Sequence, residues 1–393
     1  MFVEFPVLLE AASAVLAVVA LGYAILAVWA VSRPGWRRRP SGGKPSAAAG
    51  GGAYRPPLTV LKPLCGLEHS LYDNLRSFCE QDYPEYQVVF CIRRSTDPAV
   101  PVVQRVIRDL PGRDLALVVD ERTIGTNLKV SNLVNAARVA RHGILVMADS
   151  DMRVDSDYLQ RVAEPFADPR VGAVTCPYRG DPAGGLASAL GAAFINDWFL
   201  PSALVAVALG ELRFCFGATM AVRRDVLERI GGLESLAAEL ADDYVLGKKV
   251  ADHGFRVRLA PCVVENVVEE GGLRALFLHL LRWGRTVRAV RPLGYGFSFV
   301  TYTVPMVLPL MVATGFSGAG WGVLALALSL RMLLHYAVRG TAGVRGPSRP
   351  WLVPVGDVLG FVIWCASFMG QSVHWRNETF SVDSDGQLIA KGS

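Results

Sequence analysis

Val7 to Val31 is almost uninterrupted apolar sequence, and a stretch of that length spans a bilayer as a helix. It is too long for a signal-peptide core and no basic region precedes it, so it reads as an uncleaved anchor. Arg33, Arg37, Arg38 and Arg39 follow at once, which by the positive-inside rule places them in the cytoplasm. The last hundred residues repeat the pattern, with Phe297–Phe316, Trp321–Val338 and Trp351–Gln371 as three more apolar segments. Arg339, Arg345 and Arg349 lie between the second and third, so that loop also belongs to the cytoplasm. The first segment then leaves the cytoplasm and the second returns. Asp357 interrupts the third, which spans, re-enters or lies in the interface. These segments account for an apolar content of 52% and a charged content of 19% in 393 residues.

Between the apolar ends lies a different pattern. Residues 33–57 are a basic, then Gly-, Ser- and Pro-rich linker with little to pack. From Leu58 short apolar runs alternate with amphipathic ones. Leu58–Leu61, Gln87–Ile92, Leu115–Val119, Ile144–Ala148 and Val171–Cys176 read as strands, and Val100–Asp109, Lys129–Arg141 and Asp157–Ala167 as helices. That alternation predicts an α/β sheet covered by helices on both faces. Leu186–Leu212 is apolar inside this region. A span there would split the domain, so it reads either as a helix lying against the membrane at the entrance for an acceptor or as a core helix. The expected organisation is therefore an anchor over 1–32, the linker, an α/β domain over 58–291, membrane helices over 292–372 and a tail over 373–393, a small hairpin around Asp385-Gly386.

The seven cysteines form no CxxC pair, which argues against a zinc site or a disulfide framework and for reduced packing residues. The net charge of +5 is modest, with arginines beside the apolar segments, and no aromatic-interleaved basic stripe points to nucleic acid.

The chemistry-bearing residues begin with Asp149-Ser150-Asp151, which closes the run Gly143–Ala148. Residues i and i+2 share a face in extended chain, so both carboxylates can converge on one centre, although aspartates also favour turns at strand ends. Oxygen-only ligation suits Mg²⁺ or Mn²⁺ bound with a diphosphate, with Asp151 as direct ligand and Asp149 reaching the ribose or the metal through water. Asp242-Asp243 is a second acidic pair, where Asp243 is the candidate general base and Asp242 raises its pKa. The bland alternative is that both simply favour a helix N-terminus. Arg282 can bind a diphosphate with paired hydrogen bonds and Trp283 can wall an acceptor site. A snorkelling arginine and an interfacial tryptophan are the alternatives.

The phrases "LKPLCGLE", "LRSFCEQDYPEYQVVFCI", "TDPAV", "GTNLKVSNL", "DDYVLGKKVADHGFRV" and "LLRW" resemble the ceramide glucosyltransferase family (family 21), within the family 2-type enzymes of GT-A fold. The resemblance runs from Leu58 to Arg291 plus the membrane tail. Its overall phrasing is most like the bacterial hopanoid-biosynthesis-associated glycosyltransferases. It implies a GT-A (Rossmann-like mixed-sheet) catalytic domain between N- and C-terminal transmembrane helices. It implies an inverting glycosyltransferase that moves a sugar, N-acetylglucosamine in the hopanoid enzymes, from a UDP-sugar to a lipid hydroxyl such as that of bacteriohopanetetrol. Asp242-Asp243 resembles the family's ED motif, and His279-Leu280-Leu281-Arg282-Trp283 its (Q/R)xxRW element, with His279 where Gln or Arg is usual and facing the acceptor. The Asn127–Asn132 loop, with Asn127 and Lys129, approaches the donor diphosphate in similar enzymes; a surface lysine at a helix start is the alternative. Lys62 and Pro63 supply backbone contacts to the base. Arg94 stands where the family carries its first acid, and Asp97, nearby, either replaces it or begins a turn before Pro98.

The expected setting is the bacterial inner membrane, with the catalytic domain facing the cytoplasm and the bilayer, a UDP-sugar and a lipid as partners. A ceramide or sphingolipid glucosyltransferase, a processive polysaccharide synthase and a non-catalytic membrane scaffold are the competing readings.

Overall fold

The structure, a computed structural model, describes residues 4–36, 54–370, 372–375, 378–382 and 388–390. Arg37, Arg38, Arg39, residues 40–53 of the expected linker and the Asp385-Gly386 turn lie outside the described residues. Beside that turn, Glu378–Val382 and Leu388–Ala390 pair antiparallel, Phe380 opposite Ala390. The chain divides into two units: one over the described residues of Met1–Pro34, Arg179–Gly210 and Glu270–Thr379, the other over those of Gly35–Tyr178, Glu211–Glu269 and Phe380–Ser393.

The second unit is the α/β one. Its strands are β1 (Leu58–Leu64), β2 (Tyr86–Ile92), β3 (Leu115–Val119), β4 (Ile144–Met147), β5 (Met152–Arg153), β6 (Val171–Thr175), β7 (Tyr178–Pro182, which leads the chain into the other unit), β8 (Met220–Arg223), β9 (Arg256–Leu259) and β10 (Val264–Val268). Seven of them form one sheet in the order β3-β2-β1-β4-β8-β6-β9. The β3-β2-β1-β4 half is parallel; β8 then runs antiparallel to both β4 and β6. Every residue of β1 and β2 is buried, as expected for central strands whose two faces are both covered. Pro63 is tolerated in β1 because pairing with β4 stops at Leu61–Met147, so on that side its missing N–H breaks no ladder bond.

The expected helices form, with two shortened ends. The Lys129–Arg141 prediction becomes Leu128–Ala137, because Val139 and Ala140 donate to carbonyls only three residues back and tighten the last turn. The Asp157–Ala167 prediction is α-helical over Tyr158–Ala163 and 3₁₀ over Glu164–Ala167, where Pro165 brings no backbone donor.

The first unit is helical. Helices Val7–Ser32, Gly185–Leu209 and Gly318–Ala342 are each long and apolar enough to cross a membrane. Ala17, Ala20, Ala24 and Ala27 form a buried stripe of small residues at helical spacing on the first, letting neighbours approach closely; Ala17 packs with Val307 and Ala327. Gly185–Leu209 covers the segment expected to lie along the membrane. Its length and composition fit a crossing equally well, since both settings require an apolar helix. The expected continuous segment Phe297–Phe316 is broken: Pro292–Thr301 and Thr303–Ala313 meet at 62°. Asp357 fixes that break, its Oδ2 accepting from Val304 N (3.2 Å) at the start of the second piece. The Asp357 segment is the 16-residue helix Leu352–Ser367, shorter than the three others.

Within the α/β unit, Gly247 of the Asp242–Asp252 helix allows a close backbone contact. A Cβ there would lie 2.4 Å from Phe214 Cα and 2.6 Å from Cys215 N. Gly247→Ala is therefore expected to destabilise the protein by about 1–3 kcal/mol through overpacking, despite the better helix propensity of alanine. Thermal unfolding of the detergent-purified chain reads this as a lowered Tm; an unchanged or raised Tm would contradict the packing described.

Candidate active site

β4 ends at Met147, and Asp149-Ser150-Asp151 follow at the carboxyl ends of the parallel strands, beside the antiparallel β8. That is where open α/β sheets place their ligands. The turn is held from four directions. The Nζ of Lys62, a fully buried side chain of β1, donates to the Asp149 carbonyl oxygen and lies 3.8 Å from the centre of the Phe78 ring. Ser150 Oγ donates to Glu68 Oε1 (2.8 Å), and Val267 N of β10 donates to the Asp151 carbonyl (2.9 Å). Asn266 Nδ2 donates to Asp151 Oδ2 (2.7 Å), a contact set by the β5–β10 ladder, where Asn266 faces Met152.

Asp242 and Asp243 open the Asp242–Asp252 helix. Lys129 bridges this helix to the turn: its Nζ lies 2.8 Å from Asp149 Oδ1 and 3.3 Å from Asp242 Oδ2. Asp243 Oδ1 accepts from Tyr244 N (2.7 Å). The other oxygens of Asp149 and Asp243 converge at Gly217, where a Cβ would stand 3.2 Å from Asp149 Oδ2, 3.4 Å from Asp243 Oδ2 and 3.8 Å from Lys129 Nζ. Both acidic pairs thus meet at one small cradle that glycine leaves open.

The electrostatics follow from crowding carboxylates out of water. Desolvation, then Asp149 and Glu68, pushes the Asp151 carboxyl up to about 7. Desolvation and Asp242 push Asp243 up to about 6, against the pull of Lys129. Asp242 is raised by burial, and Lys129 opposes this. Burial works against the charge of Lys129, yet Asp149 and Asp242 outweigh it and hold the ammonium above its ordinary range. Lys62 is pushed down to about 8 by burial, with Asp149 resisting.

A divalent cation fits this donor set. The side chains offered are hard oxygens, and Asp151 Oδ1 is buried without a hydrogen-bond partner among the described residues. Among those residues no group of three or more His, Cys, Asp or Glu side chains could by itself hold an ion, so protein ligands alone make no closed cage. An open site completed by ligand oxygens matches that arrangement.

Other residues expected at the site are placed differently. Asn127 is fully buried, caps the Leu128–Ala137 helix by accepting from Val130 N (3.1 Å) and donates to Glu239 O (2.8 Å), so its side chain positions Lys129. Asp97 accepts from Gly66 N through both oxygens (3.0 and 3.1 Å) and from Ala99 N (2.9 Å), the work of a turn residue. Arg94 is exposed. Pro63 is a buried strand residue. His279, Arg282 and Trp283 lie in the helical unit, on the Leu273–Val290 helix. There His279 Nδ1 meets Glu270 Oε1 at 2.7 Å, and the Trp283 ring packs edge-on to His279 and against Phe199, at 5.0 and 6.0 Å between centroids.

The sequence reading missed Glu68, Gly217, Gly247 and Asn266. Glu68 and Gly247 lay inside phrases already singled out, while Gly217 and Asn266 did not.

A parallel-rich mixed sheet with an acidic cluster at its carboxyl edge defines a GT-A-like α/β fold. Its overall path is similar to that of a mannosyltransferase from Pyrobaculum calidifontis solved with GDP-Man and Mn²⁺, with a TM-score of 0.52 at 22% identity over 92% of this chain and 98% of that one. The sequence model of glycosyl transferase family 21 matches residues 12–388, and the chain belongs to that family. Among curated relatives, ceramide glucosyltransferase 3 of Caenorhabditis elegans is 29% identical over 206 residues, 51% of this chain and 44% of that protein. The ceramide glucosyltransferase of Gibberella zeae is 32% identical over 154 residues, 37% of this chain and 29% of that protein. The chain thus spans less than half the length of these relatives.

Lys129→Met would leave Asp149 and Asp242 without their shared counter-charge. We expect a loss of about 2 kcal/mol or more, toward the low end for a broken buried pair because Asp149 keeps part of its hydration. Adding Asp242→Asn should recover part of the lost Tm. A double variant no more stable than the single would show that the lysine does not balance these carboxylates.

Proposed function

We propose that this protein is an inverting glycosyltransferase that transfers a sugar from a UDP-sugar to a hydroxyl of a membrane lipid. The observation that supports this reading most is the convergence of Asp149, Asp243 and Lys129 around Gly217, with Asp151 beside them. In the proposed reaction Asp243, raised toward neutrality yet ionised at pH 7, accepts the acceptor's hydroxyl proton. The acceptor oxygen then forms its bond to the anomeric carbon as the bond to the diphosphate breaks on the opposite face. UDP leaves with the electron pair. Asp151 and Asp149 would hold a divalent ion, which when bound would supply positive charge for the leaving diphosphate. Lys129 keeps Asp149 and Asp242 in place and lends a positive charge to the donor side. Asp242 keeps the affinity of Asp243 for a proton high enough for the transfer. The assignments of Arg282 to the diphosphate, and of Trp283 and His279 to the acceptor, rest on the resemblance of their stretch to (Q/R)xxRW. Arg282→Lys tests the first as a rise in donor KM.

The setting we propose is the bacterial inner membrane, with the α/β unit on the cytoplasmic side. It rests on the apolar helices and on the arginines beside them. The acceptor we propose is a hopanoid polyol such as bacteriohopanetetrol and the sugar N-acetylglucosamine. A second reading, glucose transfer to ceramide, is favoured by the names of the curated relatives. Mass spectrometry of the lipids made by the purified protein from UDP-glucose or UDP-N-acetylglucosamine, with bacteriohopanetetrol and ceramide side by side, separates the two. Formation of neither glycolipid with any UDP-sugar overturns the proposal.

Two outcomes follow for the site. The transfer rate should fall as pH drops through about 6, because Asp243 must be unprotonated to act as base. Asp243→Asn should cost about 10²–10⁴-fold in kcat and abolish that pH limb. A surviving acid limb in Asp243→Asn would assign the base elsewhere. Gly217→Ala narrows the cradle and should weaken UDP binding at least about tenfold by titration calorimetry. Unaltered binding would place the donor outside the cradle.

A further inference from the structure

The helical unit holds a polar centre that the proposed chemistry does not use. The apolar helix Gly185–Leu209 is interrupted by a π-turn at Ile195–Phe199, a feature that recurs at functional sites, and near its middle stands Asp197. Asp197 Oδ1 meets His335 Nδ1 at 2.8 Å, and His335 Nε2 meets Ser348 Oγ at 3.0 Å. Arg331 lies one turn before His335, near the middle of Gly318–Ala342, and its Nη2 donates to Asp357 Oδ1 (2.6 Å). Ionisable groups inside apolar helices are costly and are kept where they bind something or hold the fold.

Asp197 and Arg331 are both only 4% exposed. After the bonds just described, Asp197 Oδ2 and Arg331 Nε are buried with no hydrogen-bond partner among the described residues. Both residues line a cavity of about 10 Å³, together with Asp357, Gly356 and the apolar Phe194 and Val353. A cavity of that size admits one oxygen centre. Its polar lining offers one acceptor and one donor, the complement of a hydroxyl, which both donates and accepts. Both carboxylates already meet a nitrogen partner, so a neutral hydroxyl fits the remaining acceptor and donor without adding a charge. The hydroxyl oxygen alone would enter, with the apolar Phe194 and Val353 beside it.

We propose that this cavity binds a hydroxyl of the lipid acceptor other than the one that is glycosylated, and so selects lipids with at least two alcohol groups. This rests on the proposed transfer to a lipid. Water and a lipid alcohol share the same hydrogen-bonding chemistry, and the test separates them.

The probe is a diazirine-bearing long-chain 1,3-diol, with its 3-O-methyl ether as control, cross-linked to the full chain in detergent and mapped by mass spectrometry. The diol should label peptides carrying Ala193–Trp198 or Leu352–Asp357 at least about tenfold more than the ether, whose 3-oxygen cannot donate. Val353→Leu, which enlarges a lining side chain, and Asp197→Asn should each reduce that labelling by a similar factor. The Tm of each variant reads the fold separately from the cavity. Equal labelling by diol and ether, absence of label from these peptides, or labelling indifferent to both variants would mean that the cavity holds water only, and would overturn the inference. Sugar transfer to the diol without this labelling would sink the cavity's role and leave the proposed function standing. Labelling without transfer from any UDP-sugar would do the reverse.

Discussion

The ammonium of Lys129, shared between Asp149 and Asp242, is the interaction on which the α/β unit's site depends. Four aspartates are drawn together at the edge of a sheet, where water is scarce and mutual repulsion is strong. Without a counter-charge this arrangement would open. Lys129 ties the end of β4 to the start of the Asp242–Asp252 helix. Lys62 ties the same turn to β1 through the Asp149 carbonyl. The remaining imbalance shows as the raised proton affinities of Asp151, Asp242 and Asp243. A cluster that holds protons near neutrality is the feature on which the proposed proton transfer rests.

Glycine completes the arrangement by absence. At Gly217 the missing Cβ leaves the point where Asp149, Asp243 and Lys129 meet, and at Gly247 it lets the helix that carries Asp243 lie against the Phe214–Cys215 backbone. The two positions act at different scales. One opens the cradle and the other sets how closely the Asp243 helix packs against its neighbour.

Local pattern carried much of this into the sequence. The apolar run Gly143–Ala148 ending in two aspartates is visible because strand periodicity is two. The Asp242-Asp243 helix start is visible because acidic residues there oppose the helix dipole. The apolar segments are visible because a membrane demands length. What stayed hidden depends on contacts between distant parts of the chain. Asn266 reaches Asp151 across 115 positions, through a β5–β10 ladder of two residue pairs that no periodicity announces. Lys62 reads as a strand residue, and only the packed sheet shows its ammonium under the Asp149 turn. Asn127 and Asp97 have residue types equally suited to ligands and to caps. The structure uses both to satisfy backbone N–H groups. The break near Tyr302 was illegible because its cap, Asp357, comes from another helix.

The most direct test of the central claim is a structure of the protein determined with UDP and Mn²⁺, with the metal located by anomalous scattering. The account predicts a manganese peak within coordinating distance of Asp151 or Asp149, the diphosphate against it, and Asp243 facing the same space across Gly217. A metal–UDP complex bound elsewhere on the α/β unit, with these carboxylates still closed on Lys129, would contradict it.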